Sequence, residues 1–358
     1  MTAERSSGFA PGSEANPGPG GRAGPAGEAG GPIVRTVLGD LDPHDLGLVL
    51  AHEHLVATPP AFVTDPDLTL DDVNAAEGEL REFSAVGGGA VVEMTTVDYG
   101  RDVHALANVS RKSGVHVVAA TGFNQGKFAD RIVAKHSDDE IVRWMVSEVE
   151  AGALRYAPPE GIDLTGAAPA RSNVKAGLIK ASSGADGPSE GELRGLRAAA
   201  QAHRATGAPI GTHTTKAVWA FEQVELFRAA GVSLPKVLIG HLDFRPEVEW
   251  LKELADTGVM LGFDQFSKSK YLSDEKRVAL VVALASAGYL GSMLLSGDLA
   301  RRSYWRSYSG PKGPGFVHIP TTVLEMLRAE GFRPEHLRTL FVENAAGWLA
   351  FEPRGVTA

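Results

Sequence analysis

The chain contains no cysteine in 358 residues, which excludes disulfides and thiolate metal sites and leaves histidine, carboxylates and modified lysine as metal ligands. It also lacks a basic excess. A formal net charge of -9 argues against a broad nucleic-acid footprint, so any bound anion must be met by local cations. No run of about 18 apolar residues occurs, and the first residues contain no apolar h-region. Neither a membrane span nor a secretory leader is therefore expected, and a cytoplasmic location follows as the default. Large apolar side chains are scarce in residues 1–32, MTAERSSGFAPGSEANPGPGGRAGPAGEAGGP, which reads as a disordered tail. The rest is rich enough in core formers to fold, with 43% hydrophobic and 22% charged residues overall.

From residue 33 to 358, short aliphatic runs alternate with segments of helical periodicity, the rhythm of repeated βα units around a parallel sheet. Eight strands are expected: LGLVLAHEH (46–54), AVVEMT (90–95), VHVVAATG (115–122), VKAGLIK (174–180), APIGTH (208–213), KVLIGH (236–241), GVMLGF (258–263) and SMLLSGD (292–298). Between them, SEGELRGLRAAAQAHRATG repeats Leu193, Leu196 and Ala200 at helical spacing before Gly207 stops it. In SDEKRVALVVALASAG, Ser273 is a candidate N-cap and Gly288 a stop. A doubly wound open sheet gives the same rhythm, but eight units in one chain of this length favour closure into a (β/α)₈ TIM barrel of the α/β class.

Barrel enzymes carry their chemistry at the C-terminal ends of strands, and His52, His54, Lys180, His213, His241 and Asp298 all fall near such ends. His52 and His54 are two residues apart and so face the same way, into the barrel mouth, with Glu53 outward. An isolated His-x-His pair is more readily chance or a hydrogen-bonded core feature than a metal site. Further strands ending in ligand types shift the weight toward metal binding. The other histidines, His44, His104, His116, His136, His203, His318 and His336, fall mostly in helices or loops and read as surface residues. A lysine ammonium cannot bind a metal, and Lys180 taken alone reads as a side chain that snorkels to solvent. Deprotonated, it can capture carbon dioxide and present a carbamate with two oxygens, suited to bridging two cations.

Taken together, LGLVLAHEHL, GLIKASSG, GTHT, IGHLD and LLSGD, in this order, resemble the phosphotriesterase family of the amidohydrolase superfamily over nearly everything after the tail. The resemblance implies a two-metal hydrolase. His52, His54 and Asp298 would hold the more buried metal, His213 and His241 the more exposed one, and carboxylated Lys180 would bridge them. Zinc is the expected metal, with manganese or cobalt also suited to these ligands. Asp298 is then the expected general base, passing a proton to the leaving group. Some relatives bridge with a glutamate from the second strand, and this chain has Glu93 there as well as Lys180.

That family hydrolyses phosphotriesters and lactones, so the loops must decide the substrate. FDQFSKSKY puts Lys268 and Lys270 after the seventh strand, and DLARRSYW puts Arg301 and Tyr304 after the eighth. Such cations with a phenol suit a phosphate or carboxylate, and the arrangement is similar to the branch acting on phosphorylated sugar lactones. The bland alternative is a solvated surface. Organophosphate or acyl-homoserine lactone hydrolysis would ask for an apolar groove, for which Trp305, Tyr308 and Phe316 are candidates. A barrel that keeps metals for structure alone is the reading from another class. The expected partner is a small molecule, with no nucleic acid or membrane, and a homodimer is allowed for.

Overall fold

The aliphatic runs extend because such side chains pack well on a pleated, buried surface. The computed structural model describes residues 31–156, 162–164 and 171–354, so residues 1–30 of the expected tail lie outside it. A hairpin of β1 (Val34–Thr36) and β2 (Gly39–Leu41) precedes the barrel. The barrel strands are β3 (Leu48–Glu53), β4 (Gly88–Glu93), β5 (His116–Gly122), β6 (Leu178–Ser183), β7 (Ile210–Thr214), β8 (Val237–Ile239), β9 (Met260–Phe263) and β10 (Met293–Leu295).

All eight expected strands form, and they pair in parallel in chain order from β3 to β10. That order excludes the doubly wound alternative, whose strand sequence reverses at a switch point. The edges β3 and β10 meet at a seam. The Asp298 N–H donates to the His52 carbonyl at 3.1 Å. The Ser296 hydroxyl accepts from the His52 N–H at 2.9 Å and lies 2.8 Å from the His52 carbonyl. The barrel is nearly closed by backbone, and the Ser296 hydroxyl adds to the closure.

Helices fill the crossovers: α1 (Val73–Ala85), α2 (Val103–Ser113), α3 (Lys127–Val133), α4 (Asp138–Glu150), α5 (Glu190–Thr206), α6 (Ala220–Ala229), α7 (Val248–Ala255) and α8 (Asp274–Ser286). In α5, Ser189 and Glu192 form a reciprocal capping box, and Gly207 at φ 81° ends the helix as its sequence predicts. Ser273 sits at the N-cap of α8, but its hydroxyl makes no cap hydrogen bond.

Two apolar layers form on the two faces of the sheet. Val49, Ala51, Val92, Ala120, Leu178, Leu238 and Leu294 belong to the inner one. Leu50, Val91, Ala119, Ile179, Ile239 and Leu295 pack outward against the helices. Strict alternation from Val49 and Ala51 would turn Glu53 inward. The pairing of β3 with β4 instead shifts register between Leu50 and Glu53, three residues on β3 spanning two on β4. This extra residue reverses the parity, so His52 and His54 enter the mouth.

Strand β6 begins four residues later than expected and runs on to Ser183, so Lys180 lies within the strand rather than at its end. The segment before it is drawn off the ladder. Val174 O accepts from Ala153 N–H, and Ala176 N–H donates to Glu148 O. A Cβ on Gly177 would stand 2.0 Å from the Arg35 carbonyl of the hairpin, an approach that only glycine permits.

Candidate metal centre

The six candidate ligands come from five strands or the residues just past them, and they converge at the C-terminal mouth. Lys180 Nζ lies 3.2 Å from His52 Nε2. His54 Nε2 is 3.2 Å from Asp298 Oδ1, and His52 Nε2 is 3.9 Å from the same oxygen. His241 Nε2 faces His213 Nδ1 at 2.7 Å, which requires a proton or a cation between two ring lone pairs. Ligand-type atoms of His52, His54 and Asp298 lie within 4.8 Å of one another. The donor set, nitrogen and carboxylate oxygen, is the kind that divalent zinc, manganese or cobalt accepts. The residues present therefore fit the group expected from the sequence.

Two of the candidate ligands hold unusual backbone. His241 sits at φ 62° and Asp298 at φ 46°, both left-handed, a conformation costly for residues with a Cβ and found where a site over-determines it. His241 follows β8 by two residues and Asp298 follows β10 by three, so each leaves its ladder before turning inward.

Burial favours the neutral forms of three groups in the cluster, His52, His213 and Lys180. Burial, helped by the nearby Lys180 charge, brings the His52 pKa down to about 3, and His213 shifts the same way for the same leading reason. Burial also lowers Lys180 to about 8. Burial pulls His241 down too, but the Asp264 carboxylate outweighs it and the net shift is upward. For Asp298, burial raises the pKa, whereas Lys268 and the histidines hold it well below the ordinary carboxylate range.

Sequence reasoning missed the residues that orient these ligands. Asp264, one past β9 and 1% exposed, places Oδ2 at 2.9 Å from His52 Nδ1 and Oδ1 at 2.6 Å from His241 Nδ1. Both rings are thereby turned with Nε2 toward the mouth. Thr95 Oγ1 lies 2.8 Å from His54 Nδ1, and Thr215 Oγ1 lies 3.1 Å from His213 Nε2. Asp264 was findable, since it is the polar residue ending the seventh strand in FDQF. The two threonines carry no such signal, because hydroxyls end many strands.

Two acids beside the cluster are occupied elsewhere. Glu53 is fully buried and accepts from Ser296 Oγ, Gly297 N and Leu299 N at 2.7, 2.8 and 2.9 Å, which ties the loop carrying Asp298 to β3. Glu93 accepts from the backbone N–H of Leu55 and, at 2.9 Å, of Thr95. With backbone donors on both oxygens, Glu93 anchors the strand end, and Lys180 is the group facing His52.

The rim differs from expectation in three places. Lys268 is 5% exposed, and its ammonium is bound to Asp298 and Gln265 instead of projecting from the rim. Arg301 is part-exposed but paired through Nη1 with Asp65 at 2.7 Å and Asp67 at 3.3 Å. Of the three aromatics that could build an apolar groove, Trp305 and Phe316 are 0% and 1% exposed and belong to the core, while Tyr308 is exposed with its ring 5.9 Å from that of Trp305. Lys270 does stand exposed at the mouth, 5.7 Å from the Tyr304 ring centroid and 4.7 Å from that of Tyr271, and hydrogen bonding to Tyr304 raises its pKa. Among the histidines read as surface residues, His203 is buried, with Nδ1 at 2.8 Å from the Ala208 carbonyl, because α5 packs that face inward.

A barrel whose mouth gathers this donor set defines a metal-dependent hydrolase of the TIM-barrel class. Residues 32–349 match the model of the phosphotriesterase family, and the chain belongs to that family. It is 34% identical over 303 residues to the phosphotriesterase homology protein of Escherichia coli, covering 83% of this chain and 96% of that one. It is 31% identical over 333 residues to a phospho-furanose lactonase of Mycoplasmopsis agalactiae, covering 90% and 93%. The solved structure of a lactonase from Listeria monocytogenes superposes with a TM-score of 0.79 at 30% identity, covering 89% of this chain and 99% of that one. No helix among the described residues is long and apolar enough to cross a membrane.

Proposed function

We propose that this chain is a lactonase acting on phosphorylated sugar lactones. The observation that carries the reading is the gathering of Lys270 and Tyr304, with Arg301 three residues before Tyr304, on the loops just outside the ligand cluster. The likeness to a phospho-furanose lactonase and to a lactonase structure supports the same ester class. The burial of Trp305 and Phe316 supports this reading over acyl-homoserine lactone or organophosphate hydrolysis, since it leaves Tyr308 alone exposed of the three aromatics that could build an apolar groove.

His52, His54 and Asp298 would hold one divalent cation, His213 and His241 a second, and Lys180 as its carbamate would span both. Zinc is the leading metal, with manganese or cobalt able to replace it. When bound, the cations would acidify a water and polarise a carbonyl oxygen. The depressed pKa of Lys180 enlarges the neutral amine fraction that takes up carbon dioxide. Asp298 accepts the proton of the attacking water as its oxygen adds to the lactone carbonyl carbon. The ring C–O bond then breaks, and Asp298 returns that proton to the departing ring oxygen, which gives the open hydroxy acid. Arg301, Lys270 and Tyr304 hold the phosphate and so fix where the ring sits. The reading includes a cytoplasmic enzyme, active as a monomer or a homodimer.

Steady-state kinetics of the metal-loaded protein on matched lactones tests this. Arg301→Ala should cost about 1.5–3 kcal/mol on the phosphorylated lactone, roughly a tenfold to hundredfold loss of kcat/KM, with little change on the unphosphorylated one. Equal loss on both, or a parent protein that prefers long-chain acyl lactones or neutral phosphotriesters, would overturn the phosphate assignment.

A further inference from the structure

Lys268 lies on the loop after β9, at the open face of the barrel, yet it is 5% exposed. A buried ammonium is tolerated only where acceptors replace its water. Here they are Asp298 O at 2.6 Å, Asp298 Oδ2 at 2.8 Å and Gln265 Oε1 at 2.9 Å. An ammonium has three protons, and these three acceptors use them all, leaving none for a substrate phosphate. Gln265 Nε2 donates to the same Asp298 Oδ2 at 2.9 Å. One carboxylate oxygen of Asp298 is thus held by two donors, while Oδ1 stays turned toward His54 and His52. The bond to the Asp298 carbonyl also secures a residue whose φ of 46° its own side chain disfavours.

We propose that Lys268 is a positioning residue for the hydrolysis and not a phosphate ligand, clamping Asp298 by its carbonyl and Oδ2 so that Oδ1 alone faces the ligand histidines. The proposal rests on Asp298 acting as the proton acceptor but not on which ester is the substrate. Lysine suits the task because a single flexible point charge reaches two acceptors on one residue and a third on its neighbour.

The test uses the full chain loaded with zinc. Lys268→Met should lower kcat roughly tenfold to hundredfold, with KM within about twofold and the same loss on phosphorylated and unphosphorylated lactones. Ethylammonium should restore part of the turnover of Lys268→Ala but not of Lys268→Met, whose side chain fills the space. A second readout needs no activity: in metal-free protein, the unfolding costs of Lys268→Met and Asp298→Asn should be non-additive in a double-mutant cycle. If Lys268→Met does not fold, Lys268→Gln, which keeps a donor but not the charge, carries the same measurements. A KM rise confined to the phosphorylated lactone, an additive cycle, or ethylammonium without effect on Lys268→Ala would each overturn the proposal. Should the chain reject lactones and cleave a neutral phosphotriester, the kcat loss is read on that ester, so failure of the substrate reading is seen separately.

Discussion

At the scale of single residues, the site works by placing polar groups where water cannot compete for them. Lys180 is 4% exposed and within 3.2 Å of the His52 imidazole. A permanently charged amine there would repel the cations the histidines would hold. Lys180→Ala should therefore drop bound metal below two ions per chain and abolish most turnover, with short carboxylic acids restoring part of it. Elemental analysis and kinetics check both points, and unchanged turnover would refute the bridging role. Asp298 tests differently, because asparagine keeps its shape and an oxygen ligand. Asp298→Asn should retain folding and much of its metal while turnover falls about a hundredfold or more, the scale of a lost general acid or base. A variant within about threefold of the parent would move proton transfer to another group. The residue beside His241 to examine next would be Asp243, whose carboxylate is already held by Arg277 at 2.6 Å.

At the scale of elements, strand order and the strand ends that carry the candidate ligands were legible because burial on both faces leaves unbroken aliphatic runs that stop at a polar residue. What was not legible is how each ligand reaches the mouth. In β3 the His-x-His spacing correctly placed both rings together, yet their inward direction depends on a register shift that no residue type announces. Lys268 and Lys270 look equivalent in FSKSKY, but burial separates them, since only the first meets Asp298 and Gln265. Arg301 likewise reads as a free cation until the acidic loop of Asp65 and Asp67, over 230 residues earlier, comes alongside. The seam between β3 and β10 offers a test at this scale. Ser296→Ala would leave the His52 N–H without the acceptor it has at 2.9 Å and free Glu53 of one donor. An unsatisfied buried donor costs about 1–3 kcal/mol. Denaturant unfolding of the metal-free variant should show that loss with an unchanged slope, and a change below about 0.5 kcal/mol would show that the seam does not depend on the hydroxyl.

At the scale of the molecule, the barrel brings together groups that are far apart in sequence, from His52 to Asp298, and this would tie metal occupancy to folding. Any ion that binds the native mouth and not the unfolded chain adds stability, about 2.7 kcal/mol when its free concentration is a hundred times its dissociation constant. Stripping the metals with a chelator should therefore lower Tm by several degrees, and re-addition of zinc should restore it in calorimetry. An unchanged Tm would mean that the ligand cluster does not hold ions tightly. The net charge of -9 leaves no broad basic face: Arg301 and Arg302 of the rim are paired with acids of a nearby loop.

The seam also has a meaning in time. Along it, β3 and the loop of Asp298 are joined by one backbone hydrogen bond, the Ser296 hydroxyl and the Glu53 carboxylate, where other neighbouring strands share a ladder. If the barrel opens along this line, the parting pulls His52 and Asp298 to opposite sides. Ions held by His52 and Asp298 would act as a rivet across that line, so loss of metal and opening of the barrel interior to solvent would be coupled.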